Sequence, residues 1–265
     1  MKNILYNSNI SNAVINYGQN VAYNEFTITK YMSKLVENNI TFSFIKTIAA
    51  FETENIPLNH NATKKFHLLD IPNQKFYILV QPPLNECKTD ILFKKYQDLV
   101  IFQLQWSLFI SFKRFQFVHG DLHYNENTLC TSLNLFGKNF IIFKYKNLIW
   151  KFPFNGTLPI ITMFDFEFSD FSYKNIHIFN KIPLTSLQNY PMNSPKTTEK
   201  KRELDIIGLN KALKTVGINK KIPQISTYYN KNLLDGFDKY KINESELTKL
   251  DKNIYFLFDG SSKKI

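Results

Sequence analysis

The sequence predicts an α+β fold, in which short strands and long helices occupy separate stretches of the chain. Three observations support this prediction: early apolar runs separated by Asn and Pro, a very apolar helical stretch at 90–115, and a hairpin pattern around Lys146-Asn147. At 265 residues the chain can bury a sizeable core, and two tightly coupled lobes would fit this length. A hydrophobic content of 44% excludes a mainly disordered chain.

The first lobe is predicted to contain one helix followed by short strands. Apolar residues recur at helical spacing from Asn24 to Val36, and Asn38-Asn39 offers a stop. Turn-forming Asn and Pro separate three runs rich in Phe, Ile, Leu and Tyr, which we interpret as strands: 42–51, 65–71 and 76–80. Because the last strand ends at Gln81-Pro82-Pro83, we place the two lobes at 1–82 and 83–265.

The second lobe is predicted to begin with a helix from about Asp90 to Phe115. This stretch is apolar all round, so the helix should cross a core rather than lie on a surface. A hairpin (140–145 with 148–152) and a buried strand at 160–164 are expected next. Beyond Phe171 we expect, in order, a long surface loop to Lys201, a helix at 203–214, and helical pieces joined by loops at 218–265.

The formal net charge of +11 narrows the partners that the sequence predicts. Such an excess could attract nucleic acid, an anionic surface or an acidic substrate. The lysines are scattered, however, with no Arg-rich block and no zinc-finger pattern. This distribution favours a solvated lysine surface over a nucleic-acid site, and a basic face would also tolerate a polyphosphate nucleotide.

Cysteine content and hydropathy predict an intracellular, soluble protein. Cys87 and Cys130 are too few for a disulfide framework or a four-ligand zinc site, so both are expected to be reduced thiols. Residues 1–20 have no signal-peptide core, and no apolar run is long enough to span a bilayer. We therefore expect no membrane partner.

The most informative stretch is 117–123, with the sequence Phe-Val-His-Gly-Asp-Leu-His. Asn125 and Asn127 follow it, and Asp165 comes after an apolar strand. Phosphoryl transfer from a nucleotide needs one carboxylate that accepts or orients the proton of the acceptor, together with oxygen ligands for divalent ions. Asp121 fits the first role, whereas Asp165 with an amide from Asn127 or Asn125 fits the second. Each residue alone is better explained by a turn, a cap or packing against a neighbour, so the prediction depends on their combination.

Two further stretches carry a family resemblance. Residues 99–104 together with 117–123 resemble the long helix and catalytic loop of protein-kinase-like proteins. Residues 140–153 and 161–166 resemble the insert and metal-binding segment of divergent, haspin-like serine/threonine kinases of large DNA viruses. The resemblance implies a two-lobed fold with a truncated small β lobe and a mainly helical large lobe. It also implies ATP and Mg²⁺ as cofactors, a protein substrate, and a location in the host cytoplasm or the virion.

The resemblance assigns roles to other positions as well. Glu25 would be the helix glutamate that pairs with a phosphate-holding lysine. Leu79, Val80 and Gln81 would form the hinge whose backbone hydrogen-bonds adenine. Asp205 would be the buried aspartate that holds the catalytic loop in place.

The loop also departs from the family pattern. The metal-binding Asn usually lies five residues after the catalytic Asp, but Glu126 stands there. Either the loop is one residue longer and Asn127 binds the metal, or Glu126 does; we favour Asn127. Glu167 stands where many kinases have Gly, which should stiffen the segment.

Two more departures affect regulation and phosphate contact. Gly120 replaces the Arg that clamps a phosphorylated activation loop, so control by such phosphorylation is not expected. His123 replaces a phosphate-contacting Lys, and its ring could still donate a hydrogen bond to that oxygen. Residues 1–24 hold one glycine, Gly18, and one lysine, Lys2, so we expect a kinase-like chain without the glycine loop, the strand lysine and the first three strands.

Three functions stay open from the sequence. The first is a protein kinase acting on Ser or Thr hydroxyls, slow because phosphate positioning is weakened. The second is a catalytically impaired pseudokinase that serves as a binding module, which the missing lysine favours. The third is a small-molecule kinase of the aminoglycoside or choline type, since those enzymes also use His-Gly-Asp-Leu-His loops.

Overall fold

The computed structural model describes residues 12–53, 76–82, 90–123, 127–179, 195–223, 234–247 and 254–258. Within these ranges the chain is a mixed α+β protein with small, mostly antiparallel sheets and a few helices, which confirms the predicted fold class. The predicted strand at 65–71, together with Lys2 and Cys87, lies outside the described residues. No helix in the described part of the chain is long and apolar enough to cross a membrane.

Helix α1, Asn12–Glu37, packs on a two-stranded antiparallel sheet made of β1, Ala49–Thr53, and β2, Phe76–Val80. The ring of Phe26 lies 5.2 Å from the ring of Tyr77 across this contact. The helix begins earlier than the predicted Asn24 because extending a packed helix costs far less than nucleating one, even through residues without an apolar stripe.

The strand predicted at 42–51 is wrong over its first half. Only Phe44 makes a bridge there, with Met163, and β1 begins at Ala49. The preceding helix ends at Glu37, next to the predicted stop at Asn38-Asn39, and Asn39 has a left-handed φ of 55°. The chain then turns inward, so that Ile40, Phe44 and their neighbours join the core instead of extending a sheet edge.

The predicted long helix is divided at Tyr96 into α2, Asp90–Lys95, and α3, Gln97–Phe115. Helix α3 is buried on nearly all sides, as its composition predicts, and it forms the centre of the core. Phe102 on α3 meets five aromatic rings: Trp106, Phe143, Trp150, Phe152 and Phe237. The helix ends in a left-handed residue, Gln116, with φ 46°.

Strands fill the space beside α3. β3, Thr128–Asn134, pairs antiparallel with β6, Thr157–Met163. The predicted hairpin is present as β4, Phe140–Tyr145, and β5, Leu148–Pro153. β10, Ile254–Phe258, runs parallel to β4, and the short β9, Lys241–Ile242, lies beside β5.

Several predictions for the rest of the chain are wrong. The expected loop at 171–201 contains a hairpin of β7, Asp170–Tyr173, and β8, Ile176–Phe179, and helix α4, Pro195–Thr215, begins before the predicted residue 203. Beyond residue 218 a helix of four residues, α5 at Glu244–Leu247, is accompanied by β9 and β10. The described residues from 90 onward are therefore mixed rather than mainly helical, because β7 and β8 stand where a loop was expected and β9 and β10 where helical pieces were expected.

Candidate active site

The segment 116–123 leaves α3 and is held on one side by β7. The backbones of Val118 and Asp170 exchange two hydrogen bonds, of 3.0 and 2.8 Å. His119 and Leu122 are completely buried, whereas the side chain of Asp121 is 29% exposed. The loop therefore has a rigid inner side and presents Asp121 on its outer side.

Helix α4 also holds this loop, through the side chain of Asp205. Its two carboxylate oxygens accept hydrogen bonds from the backbone N–H of His119 at 3.0 Å and of Gly120 at 2.8 Å. Burial raises the pKa of the Asp205 carboxyl to about 7, against the opposing effect of the N–H groups of the loop. Gly208, one turn further along α4, allows this close approach, since a Cβ there would lie 1.7 Å from the carbonyl oxygen of Leu122.

The side chain of Asn127 bonds to the backbones of both Asp121 and His123. Its amide nitrogen donates to the backbone carbonyl of Asp121, and its Oδ1 accepts from the backbone N–H of His123 at 2.5 Å. The ring Nε2 of His123 donates to Oδ1 of Asp121 at 2.7 Å. The structure thus brings together the three predicted catalytic residues, while Asn125 and Glu126 lie outside the described residues.

Asp165 lies two residues after the end of β6 and has a left-handed φ of 66°, a conformation that aspartate adopts more readily than most residues with a side chain. Its neighbour Phe164 is held by two hydrogen bonds. The N–H of Phe164 donates to the carbonyl of Asn127 at 2.9 Å, and its carbonyl accepts from Nε2 of His119 at 3.0 Å. The residue before Asp165 is therefore bonded to both ends of the loop that carries Asp121.

His119 is the completely buried link between these two segments. Burial lowers the pKa of its imidazole to about 4, although the Phe164 carbonyl and the Asp165 carboxylate both act in the opposite direction. The ring is consequently neutral near pH 7. The hydrogen bond from this ring to the Phe164 carbonyl places the backbone beside Asp165 against the loop.

The oxygen groups present fit a Mg²⁺ ion only in part. Among the described residues no cluster of three or more His, Cys, Asp and Glu side chains could hold a metal by itself. Mg²⁺, however, usually takes one or two carboxylates and completes its shell with water and substrate phosphates. Asp165 offers a carboxylate, and Oδ1 of Asn127 keeps one lone pair after accepting from His123.

The residues predicted to bind nucleotide lie on α1 and at the end of β2. Glu25 is 5% exposed on α1, and Thr29 donates to its backbone carbonyl at 2.7 Å. Leu79 and Val80 end β2, where the carbonyl of Val80 accepts from the backbone N–H of Ile48 at 2.7 Å. Gln81 follows the strand as half-buried coil. These placements agree with a hinge and a helix glutamate without testing either role.

Sequence reasoning missed four residues that support the loop. Ser169 donates to the carbonyl of His119 at 3.0 Å, and Lys201 forms a buried ion pair with Asp170. Gly208 is the fourth, and a signal for it existed, because a glycine three residues after Asp205 inside a helical pattern indicates a close packing contact. No comparable signal marks Lys201, which stands among other lysines.

No model of a known protein family matches this sequence, and no curated protein matches it significantly. The function is therefore inferred from the geometry of the loop and of the strand end beside it.

Proposed function

We propose that this chain is a protein-kinase-like phosphotransferase that transfers the terminal phosphate of ATP to Ser or Thr hydroxyls of proteins. One observation carries the proposal: Asp121 and Asp165 belong to a single hydrogen-bonded unit, in which Asn127 and Phe164 join the loop to the strand end. A two-lobed kinase-like arrangement, with 1–82 as a partial small lobe and 83–265 as the large lobe, is part of the same proposal.

Rigidity of this unit favours catalysis by positioning. Phosphoryl transfer requires little covalent work from a protein, so its rate depends on where the charged groups are held. Asp205 fixes the loop from α4, and Asn127 fixes the backbone of Asp121 directly. Such a loop can keep one carboxylate at a constant place while substrates come and go.

Each side chain then has a defined task. The Asp121 carboxylate accepts or orients the proton of the acceptor hydroxyl, since it is partly exposed and one of its oxygens is oriented by His123. Asp165 and Asn127 would hold Mg²⁺, which neutralises charge on the transferring phosphate. His123 donates its ring N–H to the carboxylate in the absence of substrate, and the same N–H could serve a phosphate oxygen.

Small hydroxylated molecules are the second candidate acceptors. The observation that favours them is Gly120, which is packed so closely that a Cβ would lie 2.8 Å from the carbonyl of Phe168. This loop therefore excludes the arginine that is used by kinases controlled through loop phosphorylation. Acceptor class is best separated by assay, because the acceptor surface is not defined by the residues described.

The test measures ADP release and transfer of labelled phosphate from ATP in the presence of Mg²⁺. Acceptors are a mixture of Ser- and Thr-containing peptides and, in parallel, choline and an aminoglycoside. Asp121→Asn should lower the rate by roughly 10²–10⁴-fold. Asp165→Asn should abolish Mg²⁺-dependent thermal stabilisation by ATP, because that stabilisation follows from binding to the folded state. Asp238→Asn, an exposed surface carboxylate paired with Lys241, is the matched control.

Each alternative gives a different result. Transfer at the wild-type rate by Asp121→Asn would contradict the proposal. Stabilisation by ATP without any transfer would favour the pseudokinase, whereas transfer to choline or the aminoglycoside but to no peptide would favour a small-molecule kinase.

A further inference from the structure

Lys201, in the second turn of α4, and Asp170, at the start of β7, form a completely buried ion pair. Their side chains are 0% and 1% exposed. Nζ of Lys201 donates to Oδ1 of Asp170 and, at 2.9 Å, to the carbonyl oxygen of Phe168. The hydroxyl of Thr198 lies 3.4 Å from the other carboxylate oxygen. The pair is therefore desolvated and directed at one short stretch of backbone.

Stability alone does not account for such a pair. Burial lowers the pKa of the Lys201 amine, and the charge of Asp170 acts against that effect. Removing two charges from water costs about as much as their attraction returns, and apolar side chains of similar volume often serve equally well. A buried ion pair differs from an apolar contact chiefly because its hydrogen bonds are directional, so it fixes the positions of the atoms that take part.

The backbone that Lys201 fixes, at residues 168–170, contacts the Asp121 loop at Val118 and His119. Asp170 exchanges two backbone hydrogen bonds with Val118, and the hydroxyl of Ser169 donates to the carbonyl of His119. Phe168, whose carbonyl accepts from Lys201, comes three residues after Asp165. One lysine thus restrains the segment that follows Asp165 and that contacts the Asp121 loop.

Gly120 makes room for the stem of this lysine. A Cβ at Gly120 would lie 3.1 Å from Cδ of Lys201 and 2.8 Å from the carbonyl of Phe168, and its φ is +86°. The lysine stem therefore occupies the space that a larger residue in the loop would need. The residue before Asp121, the lysine and the Phe168 carbonyl form one packed unit.

We propose that Lys201 is a positioning residue for Asp121, which acts through its buried contacts with Asp170 and Phe168; this role rests on the proposed phosphotransfer. The lysine sets the distance between the loop and the segment that follows Asp165, so its loss should slow turnover more than it weakens nucleotide binding.

Lys201 also acts electrostatically on Asp205, the α4 carboxylate that holds the loop. It precedes Asp205 by one helical turn, and its charge lowers the pKa of that carboxyl. The charged group that acts on Asp205 is Lys201, which is itself paired with Asp170 on β7, and the loop faces Asp205 with the backbone N–H groups of His119 and Gly120. Without the lysine, Asp205 would hold its proton to higher pH, and a protonated carboxyl accepts the two loop N–H groups less well. The acidic limb of the rate profile should therefore move to higher pH.

Four variants test the role. Lys201→Met removes the charge at nearly constant shape, and Lys201→Arg keeps it. The double variant Lys201→Met with Asp170→Leu replaces the pair by an apolar contact, which protects the fold from an unpaired buried carboxylate. Lys200→Met is the matched control, because this neighbouring lysine is half exposed and pairs only on the surface with Glu203. Circular dichroism establishes that each variant is folded.

Activity and hydrogen exchange are measured on all of them, with Asp121→Asn beside the wild type. We expect kcat of the double variant to fall about 10²-fold, the loss that a misplacement of about 1 Å produces, with KM for ATP nearly unchanged. The acidic limb of Lys201→Met, which loses the lysine charge alone, should lie at higher pH than that of Lys200→Met. Without nucleotide, the backbone amides of His119 and Gly120 should exchange roughly tenfold faster than in the control, since their hold on the loop is loosened.

The outcomes are distinguishable. A folded double variant with wild-type kcat, or with unchanged exchange at His119 and Gly120, overturns the positioning role and leaves the proposed function intact. Wild-type protein without Asp121-dependent transfer overturns the proposed function and, with it, any role of Lys201 in turnover.

Discussion

The imidazole of His123 and the carboxylate of Asp121 face each other at 2.7 Å on the exposed side of the loop. His123 is 51% exposed and Asp121 is 29% exposed, so water reaches both groups. The contact therefore orients the carboxylate and adds little to the stability of the fold.

Replacing His123 by alanine should lower the transfer rate about tenfold, which corresponds to about 1.4 kcal/mol of activation free energy. The reason is loss of a side-chain donor that orients the Asp121 carboxylate. Steady-state kinetics should show the change in kcat rather than in KM for ATP. His177→Ala, a second exposed histidine bonded to Ser172, should leave both constants unchanged. Equal effects of the two substitutions would contradict this orienting role.

The buried ring of His119 predicts a pH dependence of stability. The unfolded chain protonates this group near pH 6.5, whereas in the folded chain its pKa is about 4. The stabilisation present above pH 6.5 is therefore lost as the pH falls toward 4. Urea unfolding should show that the advantage of the wild type over His119→Asn is larger at pH 7 than at pH 4.5 by about 2 kcal/mol, from the 1.36 kcal/mol per pKa unit.

The comparison with the variant is needed because Asp205 acts in the opposite direction. Its raised pKa makes the folded chain the better proton acceptor between pH 4 and 7, so its contribution falls as the pH rises. Asp205 is present in both proteins and its effect largely cancels in their difference. An advantage that does not change with pH would rule out the neutral buried ring.

Asp98 connects the later part of the chain to α3. It accepts from Lys220 at 2.9 Å, from Lys239 at 2.8 Å and from the hydroxyl of Tyr240 at 2.9 Å. Burial alone would raise the pKa of Asp98, but the hydrogen bonds from Lys239 and Lys220 outweigh it and lower the pKa to about 2.

Asp98→Asn should therefore destabilise the protein by about 1 kcal/mol at pH 7, after allowance for solvent screening of the exposed lysines. The contribution is present above pH 4 and disappears as the pH falls through 2. Denaturant titration at pH 7 and pH 2.5 measures it, with Asp238→Asn as a control whose partner Lys241 is also on the surface. A cost that persists in full at pH 2.5 would assign it to packing and not to charge.

Phe102 should be among the most costly residues to truncate. It is fully buried and contacts five aromatic rings, so Phe102→Ala should reduce the free energy of unfolding by about 3–5 kcal/mol through lost burial and a residual cavity. Phe136→Ala, with a side chain that is 87% exposed, should change it by less than about 0.5 kcal/mol. Chemical denaturation distinguishes the two, and similar losses would contradict the placement of α3 at the centre of the core.

The sequence predicted the parts of the fold that are encoded locally. The turn at Lys146-Asn147 produces the β4–β5 hairpin, and the apolar composition around Phe102 produces the buried α3. The β7–β8 hairpin has a similar signal, because Phe171, Tyr173, Ile176 and Ile178 alternate with polar residues on either side of its turn, but the polar residues that follow it obscured the pattern.

Contacts between distant residues could not be predicted in the same way. The parallel pairing of β10 with β4 depends on register between segments far apart in the chain, which no local pattern encodes. In the candidate site, the residue types and order around Asp121 indicated the chemistry, and the structure added the supports. Lys201 was missed because a lysine in a charged run is usually solvated, and only its burial beside Asp170 distinguishes it from Lys200.

The parallel pairing of β10 with β4 has a consequence for biosynthesis. During synthesis residue 140 leaves the ribosome long before residue 254. One edge of the β4–β5 hairpin therefore stays unpaired until β10 has been made. Such late pairing between distant segments slows folding, and until it occurs the unpaired edge of β4 can pair with strands of other nascent chains. Protein truncated before residue 254 should therefore aggregate, even though it contains both segments around Asp121 and Asp165.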